Sequence, residues 1–214
     1  SRSWTSHFVD DDLSKHRKKS FQLVFDRYML KLMIYFVQIS YSLKKLENIM
    51  QQGTFRGAYP ALITPMDKNG DVNYDAIQKI IEFNINAGVD GFWIAGGTGE
   101  SVYLTEEENN EIAKASVEQC NGRAKIIMHV GSTTTTVATR QAEYAAKFGV
   151  DAVCSFPPIV YRPGDHEITE HYKAIASASN LPFFVYNFPG ATGVEITPEL
   201  MGKMLDEIPL IQGL

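Results

Sequence analysis

Cysteine is scarce in this sequence. Only Cys120 and Cys154 occur in 214 residues, with no CxxC spacing and no paired histidines beside them. That argues against a disulfide framework and a Cys/His zinc site, and leaves two reduced, buried thiols of a cytoplasmic protein as the expectation. Basic charge is not in excess either. The formal net charge is −5, so nothing points to nucleic acid as a partner. A long apolar run is also missing. The longest uncharged stretch within the leading residues, Leu32 to Leu43, has 12 residues, whereas a spanning helix needs about 20. No small-residue cleavage site follows it, which argues against a signal peptide. No membrane partner is therefore expected, although a surface-lying helix with Lys31 snorkelling remains open.

Glycine and proline are absent from residues 1–49, and all 16 glycines and 9 prolines lie after Met50. The same leading stretch holds nine Lys/Arg against five acids, a net of +4, so the remainder holds 11 against 20, or −9. A shift this sharp marks a boundary. Residues 1–49 read as an atypical basic segment, helical or disordered. They are expected to be an extension upstream of a natural start at Met50, or else a targeting or partner-binding arm.

After Met50 a β-rich run, a turn and an amphipathic helix recur about every 30 residues. The strands expected are GAYPALITP (57–65), GFWIAGG (91–97), AKIIMHVG (124–131), DAVCSFPP (151–158) and PFFVYNFP (182–189). A further apolar run, in IPLIQGL, ends the sequence. Between them, Asn73 caps a helix carrying Ile77, Ile80, Ile81 and Ile85, stopped at Gly88. Thr105 and Glu108 form a capping box ahead of Ile112, Ala113, Ser116 and Val117. Helices follow over Val137–Phe148 and around Ile168, Tyr172, Ile175 and Ala176. Thr197 caps the last, with Pro198 in its first turn. An internal echo supports the period: AGVDGFWI (87–94) and FGVDAVCS (148–155) stand 61 residues apart. Continuous apolar strands alternating with helices mean parallel strands. Five such units fit the start of a (β/α)8 barrel or a doubly wound sheet.

The small, polar and aromatic residues gather at the carboxyl ends of these strands, where a barrel builds its active site. GGTGES (96–101) is either a tight turn or a cradle in which free N–H groups and the Thr98 hydroxyl hold an anion. It lacks the dinucleotide fingerprint. Tyr186, at a strand end, is either a packed rim residue or a proton-transfer group. His129, His166 and His171 do not form a metal set. The last two are five apart on different helix faces and are expected on the solvated surface.

Together, YPALITP, GGTGES, HVGS, YNFPGATGV and IPLIQGL, in this order, resemble the N-acetylneuraminate lyase and dihydrodipicolinate synthase family of pyruvate-dependent class I aldolases. The resemblance covers residues 55–214. It implies a TIM (β/α)8 barrel, present here as about five βα units, and a homotetramer when intact. It implies pyruvate and a sugar-derived keto acid as small-molecule partners. It also implies a Schiff base on a lysine in place of any metal or cofactor. By resemblance Tyr186 is catalytic, and Gly97, Thr98, Tyr161, Ala61 and Thr192 bind substrate. The family's lysine follows the sixth strand's Gly-Leu, so it is due immediately after Leu214. The 214-residue chain is expected to be inactive and marginally stable on its own, with open sheet edges.

Two positions depart from the family. Gly97 stands where Thr or Ser usually supplies a relay hydroxyl, and a second relay tyrosine falls at Val160, one before Tyr161. A third position bears on substrate. The synthase branch carries an arginine where Ala191 stands, so a dicarboxylate partner loses a bidentate contact. That, with HVGS and DEIPLIQGL, favours cleavage of N-acetylneuraminate to N-acetylmannosamine and pyruvate. The alternatives are a family aldolase acting on a 2-keto-3-deoxy sugar acid or 4-hydroxy-2-oxoglutarate, dihydrodipicolinate synthase, or a truncated, non-catalytic member that pairs with full-length subunits.

Overall fold

A computed structural model describes residues 55–214, which fall within one compact unit, Gln52–Leu214. The expectations for residues 1–49 lie outside the described residues. Helices and strands alternate along the described chain: α1 (Tyr74–Asn86), β1 (Gly91–Ile94), α2 (Glu106–Cys120), β2 (Lys125–His129), α3 (Thr135–Phe148), β3 (Ala152–Ser155), α4 (Asp165–Ser179), β4 (Phe183–Val185), a short α5 (Pro189–Thr192), α6 (Pro198–Glu207) and β5 (Ile211–Gly213). The five strands form one sheet in chain order, every pair parallel. Among the described residues no helix is long and apolar enough to cross a membrane.

The helix boundaries follow local chemistry. Asn73 Oδ1 accepts the Ala76 N–H at 3.0 Å, and Gly88 leaves the helix with φ +84°. Thr105 and Glu108 make both bonds of the capping box, at 2.7 and 3.1 Å. Thr134 and Thr197 accept N–H groups of Val137 and Leu200. Each cap satisfies donors that the first turn leaves without partners.

The first expected strand, 57–65, forms only a bridge, Ala61 to Trp93. The reason is Pro60. Ala58 O accepts the Gly91 N–H, Pro60 O accepts the Trp93 N–H, and Leu62 N–H reaches Trp93 O. The bond missing from this parallel ladder is the one Pro60 lacks the N–H to make. The segment still lies parallel beside β1 and extends the sheet.

Side chains alternate strictly across the sheet. Phe92, Ile94, Ile126, Met128, Val153, Phe183 and Val185 join Ile77, Ile81, Ile112, Ala142, Tyr172, Ile175, Leu200 and Met204 in the large core under the helices. Ile127, Ala152 and Cys154 face the other way, packed with Phe55, Tyr59, Trp93 and Phe184. One face covered by helices and one lined by its own apolar side chains is the arrangement of a parallel barrel with strands inside. The fold is thus part of a (β/α)8 barrel: five βα units and a sixth strand.

The GVD echo has a structural cause. Asp90 Oδ2 accepts the Ala58 N–H at 2.7 Å, and Asp151 Oδ2 accepts the Ile126 N–H at 2.9 Å. Each aspartate opens a strand and clamps the strand before it. Asp151 also holds Lys125 Nζ at 2.6 Å. Asp151→Ala removes a charge-assisted bond and is expected to lower unfolding stability by about 2 kcal/mol, with Asp151→Asn losing roughly half as much. Urea midpoints of the three proteins check this; equal midpoints would show that the clamp sets register without adding stability.

Candidate active site

The site forms where β1, β2, β3 and β4 end. Gly96, Gly97 and Thr98, from the turn after β1, and Tyr186, just after β4, line two adjoining cavities of about 650 and 420 Å3. The larger is closed by Ser101, Tyr103, His129, Phe156, Phe188 and Thr192, the smaller by Tyr59, Ala61, Trp93, Asn187 and Leu214. None of the lining residues is a lysine.

The GGTGES turn is built to leave amides free. Glu100 N–H bonds Gly97 O and Ser101 N–H bonds Gly96 O, at 3.2 and 3.4 Å, while Thr64 Oγ1 donates to Gly99 O at 2.6 Å. Among the described residues the N–H groups of Gly97, Thr98 and Gly99 have no acceptor. Glu100 turns the chain through the left-handed region at φ +56°. Consecutive unpaired amides at a cavity wall make a concavity suited to a carboxylate.

Tyr186 closes the opposite wall. Its hydroxyl lies 3.6 Å from the position a Cβ on Gly97 would take. Gly97 therefore leaves open space in ordinary van der Waals contact with the phenol. The Tyr186 N–H donates to Ser155 O at 2.9 Å, which ties the tyrosine to β3. Asn187, next along, accepts the Ile196 N–H and donates to Ile196 O, at 3.1 and 3.2 Å, and so closes the loop that carries residues 188–193.

Of the residues singled out from the sequence, Gly97, Thr98 and Tyr186 meet at both cavities. Ala61 lines the smaller cavity and Thr192 the larger. The Thr192 hydroxyl is bonded inside its own turn, to Phe188, Val194 or both. Tyr161 lines neither cavity and is 85% exposed. Val160, before it, takes φ +79°. That conformation costs a β-branched residue about 1–3 kcal/mol.

Sequence reading missed His129, Ser101 and Phe156. The first two share a contact, Ser101 Oγ to His129 Nδ1 at 3.3 Å. His129 is buried, and desolvation lowers its pKa to about 4 against a weaker opposing bond to Ala95 O. The signals available were the motifs themselves: His129 ends β2 and opens HVGS, and Ser101 closes GGTGES. His166 is exposed as expected, but His171 is not on the solvated surface. It is 2% exposed, bonded through Nδ1 to Thr135 Oγ1 at 2.9 Å, and burial lowers its pKa to about 4. Helix α4 packs against both the sheet and α3, so its buried face is wider than a single apolar stripe. The cysteines are as expected: both are free and buried. Cys154 accepts the Trp93 indole N–H at 3.0 Å, and burial raises its pKa.

A parallel βα barrel with an amide cradle and a tyrosine facing each other at the strands' carboxyl ends is the frame of an enzyme site. The sequence model of the Dihydrodipicolinate synthetase family matches residues 54–214, and the chain belongs to that family. A curated 4-hydroxy-tetrahydrodipicolinate synthase from Maridesulfovibrio salexigens is 36% identical over 160 residues, covering 75% of this chain and 54% of that protein. A sialic acid aldolase catalytic lysine mutant from Ruminococcus gnavus superposes with a TM-score of 0.73 at 28% identity, over 75% of this chain and 53% of the other. A dihydrodipicolinate synthase from Aquifex aeolicus gives 0.70 at 34% identity, over 72% and 53%. The chain thus spans about half the length of the relatives it matches.

Proposed function

We propose that the site belongs to a lyase or synthase that holds a 2-keto acid as a Schiff base and makes or breaks a carbon–carbon bond beside it. The observation that carries this reading is the free amide run 97–99 facing the Tyr186 hydroxyl across one cavity. The amides and Thr98 would hold the keto acid's carboxylate. Tyr186 would pass a proton between the substrate's hydroxyl and that carboxylate.

The nucleophile is an amine that the described cavities do not contain. Register supports one place for it. Phe184 pairs with Gly213 across β4 and β5, and Leu214 already lines the smaller cavity. A residue after Leu214 would stand alongside Tyr186. A lysine there would be desolvated, which favours the neutral amine that attacks a ketone. The iminium would then act as the electron sink.

For the partner aldehyde two readings stand. Cleavage of N-acetylneuraminate is favoured by Ala191 in the cavity wall, where a guanidinium for a second carboxylate would otherwise sit. Synthesis from pyruvate and a carboxylate-bearing aldehyde is supported by the curated synthase relatives and by Arg162. The guanidinium Nε of Arg162 lies 4.0 Å from the Cβ position of Gly193, over the same turn, with no acid partner among the described residues. For the whole protein we propose the family's homotetramer, with exposed Tyr103, Val160 and Phe188 on the rim as apolar surface for a second copy.

The test is reductive trapping. A form of the protein in which this chain runs on past Leu214, treated with pyruvate and borohydride, should gain one reduced pyruvate per chain on a lysine. The 214-residue chain should gain none. No adduct on the extended chain would refute the Schiff-base reading. Turnover of N-acetylneuraminate against 2-keto-3-deoxygluconate, and against condensation with a carboxylate-bearing aldehyde, then chooses the substrate.

A further inference from the structure

We propose that Ser101 is a substrate-binding hydrogen-bond donor, and that His129 is the positioning residue that turns its hydroxyl into the cavity. Its acceptor is a carboxylate or carbonyl oxygen of the bound keto acid. The inference rests on the keto-acid reading of the site and adds two residues to it.

The argument is one of polarity. The backbone N–H of Phe156 points at His129 Nε2 at 3.3 Å. A backbone N–H can only donate, so Nε2 must present its lone pair. The neutral ring then carries its proton on Nδ1. Ser101 Oγ lies 3.3 Å from Nδ1. It cannot donate to a nitrogen that already holds a hydrogen, so it accepts, and its own proton must go elsewhere. Among the described residues the Ser101 hydroxyl has no other partner. Both side chains line the larger cavity with Gly97, Thr98 and Tyr186. The direction left to the proton is the cavity that both side chains line.

The ring cannot turn over freely to reverse this. It packs on Phe156 at 4.8 Å between centroids and edge-on to Tyr186 at 6.3 Å. Gly131 gives it room: a Cβ there would meet His129 Cε1 and Nε2 at 2.7 Å and Ser155 Oγ at 3.0 Å. Burial disfavours the charged ring, which would convert Nε2 into a second donor facing the Phe156 amide.

Nitrogen-15 correlation spectra of the His129 ring in the full chain give a readout independent of any ligand. The expected result at pH 7 is a proton on Nδ1 and a bare Nε2; a proton on Nε2, alone or with Nδ1, overturns the inference. Pyruvate is then titrated against the amides of Gly97 and Thr98. Ser101→Ala should weaken it about tenfold to a hundredfold, the loss of one hydrogen bond to a charged acceptor. Gly131→Ala, which leaves the Ser101 hydroxyl in place and crowds the His129 ring, should weaken it comparably by displacing that ring. Amide spectra of both variants report that they fold. If wild type binds pyruvate and Ser101→Ala binds it equally, the inference fails while the keto-acid reading stands. If wild type takes acetate at those amides but not pyruvate, the keto-acid reading fails, and Ser101→Ala against acetate decides the donor. Binding of neither overturns both.

Discussion

Lowering the pH from 7 to 4 is expected to remove about 6 kcal/mol of stability, enough to unfold a protein of ordinary margin. The source is two buried histidines. His129 and His171 both have pKa values lowered to about 4 by burial, from 6.5. In the unfolded chain each takes a proton near pH 6.5; in the folded one it resists until about 4. Between those values the unfolded state binds more protons, so stability falls as pH falls. The drop from 6.5 to about 4 costs roughly 3 kcal/mol per histidine by pH 4, and slightly more below it. Glu82, Glu106 and Glu108 also have lowered pKa values, from Arg123, Arg140 and the Thr105 cap respectively. They are close to solvent, and their contribution is lost only below their ordinary value of 4.5. Urea unfolding at pH 7.5, 6, 5 and 4 measures the effect. Stability that stays level between pH 7.5 and 5 would show that neither imidazole is held neutral. His171→Asn should flatten the curve by about half, because His129 remains.

Tyr186→Phe, in a protein that carries the proposed Schiff-base lysine, is expected to lower kcat about 10²- to 10³-fold, with KM for the keto acid changed less than about threefold. The substitution removes one hydroxyl and keeps the ring. The ring's neighbours, His129 at 6.3 Å and Phe188 at 6.4 Å between centroids, are therefore retained. So is the backbone bond from Tyr186 N–H to Ser155 O. Gly97 supplies no second hydroxyl to take over, since it has no side chain beside the phenol. Loss at the chemical step rather than in binding is the signature of a proton-transfer group. Steady-state kinetics together with the rate of borohydride trapping separate the two. A kcat within about threefold of wild type would reduce Tyr186 to a packed rim residue.

The two results probe different layers. The histidines sit at packing positions chosen by helices and strands far apart in sequence: β2 for His129, α4 for His171. Tyr186 sits where a strand ends, and its position is readable from the chain alone. Acid sensitivity therefore belongs to the tertiary structure, whereas the tyrosine's candidacy belongs to the sequence.

The repeating unit was legible because each element is fixed locally. Asn73, Thr105 with Glu108, and Thr197 are side chains that satisfy the first amides of their own helices. The apolar runs bury both faces of their strands, which identifies parallel pairing. The site's outline was legible for a related reason. In such a fold strand ends converge, so Gly97, Thr98 and Tyr186 had to meet. The weak first strand was less plain. Pro60 was visible, but only the register shows that its missing N–H faces Gly91 O.

The amino-acid sequence alone determined the alternation of strand and helix, the caps and the rim on which the chemistry sits, because these depend on neighbours a few residues apart. Only the tertiary structure decided that His171 is buried, that Tyr161 turns outward behind a strained Val160, and that Ser101 meets His129. Desolvation and hydrogen-bond polarity arise between residues that the chain keeps far apart until it folds, and no local pattern encodes them.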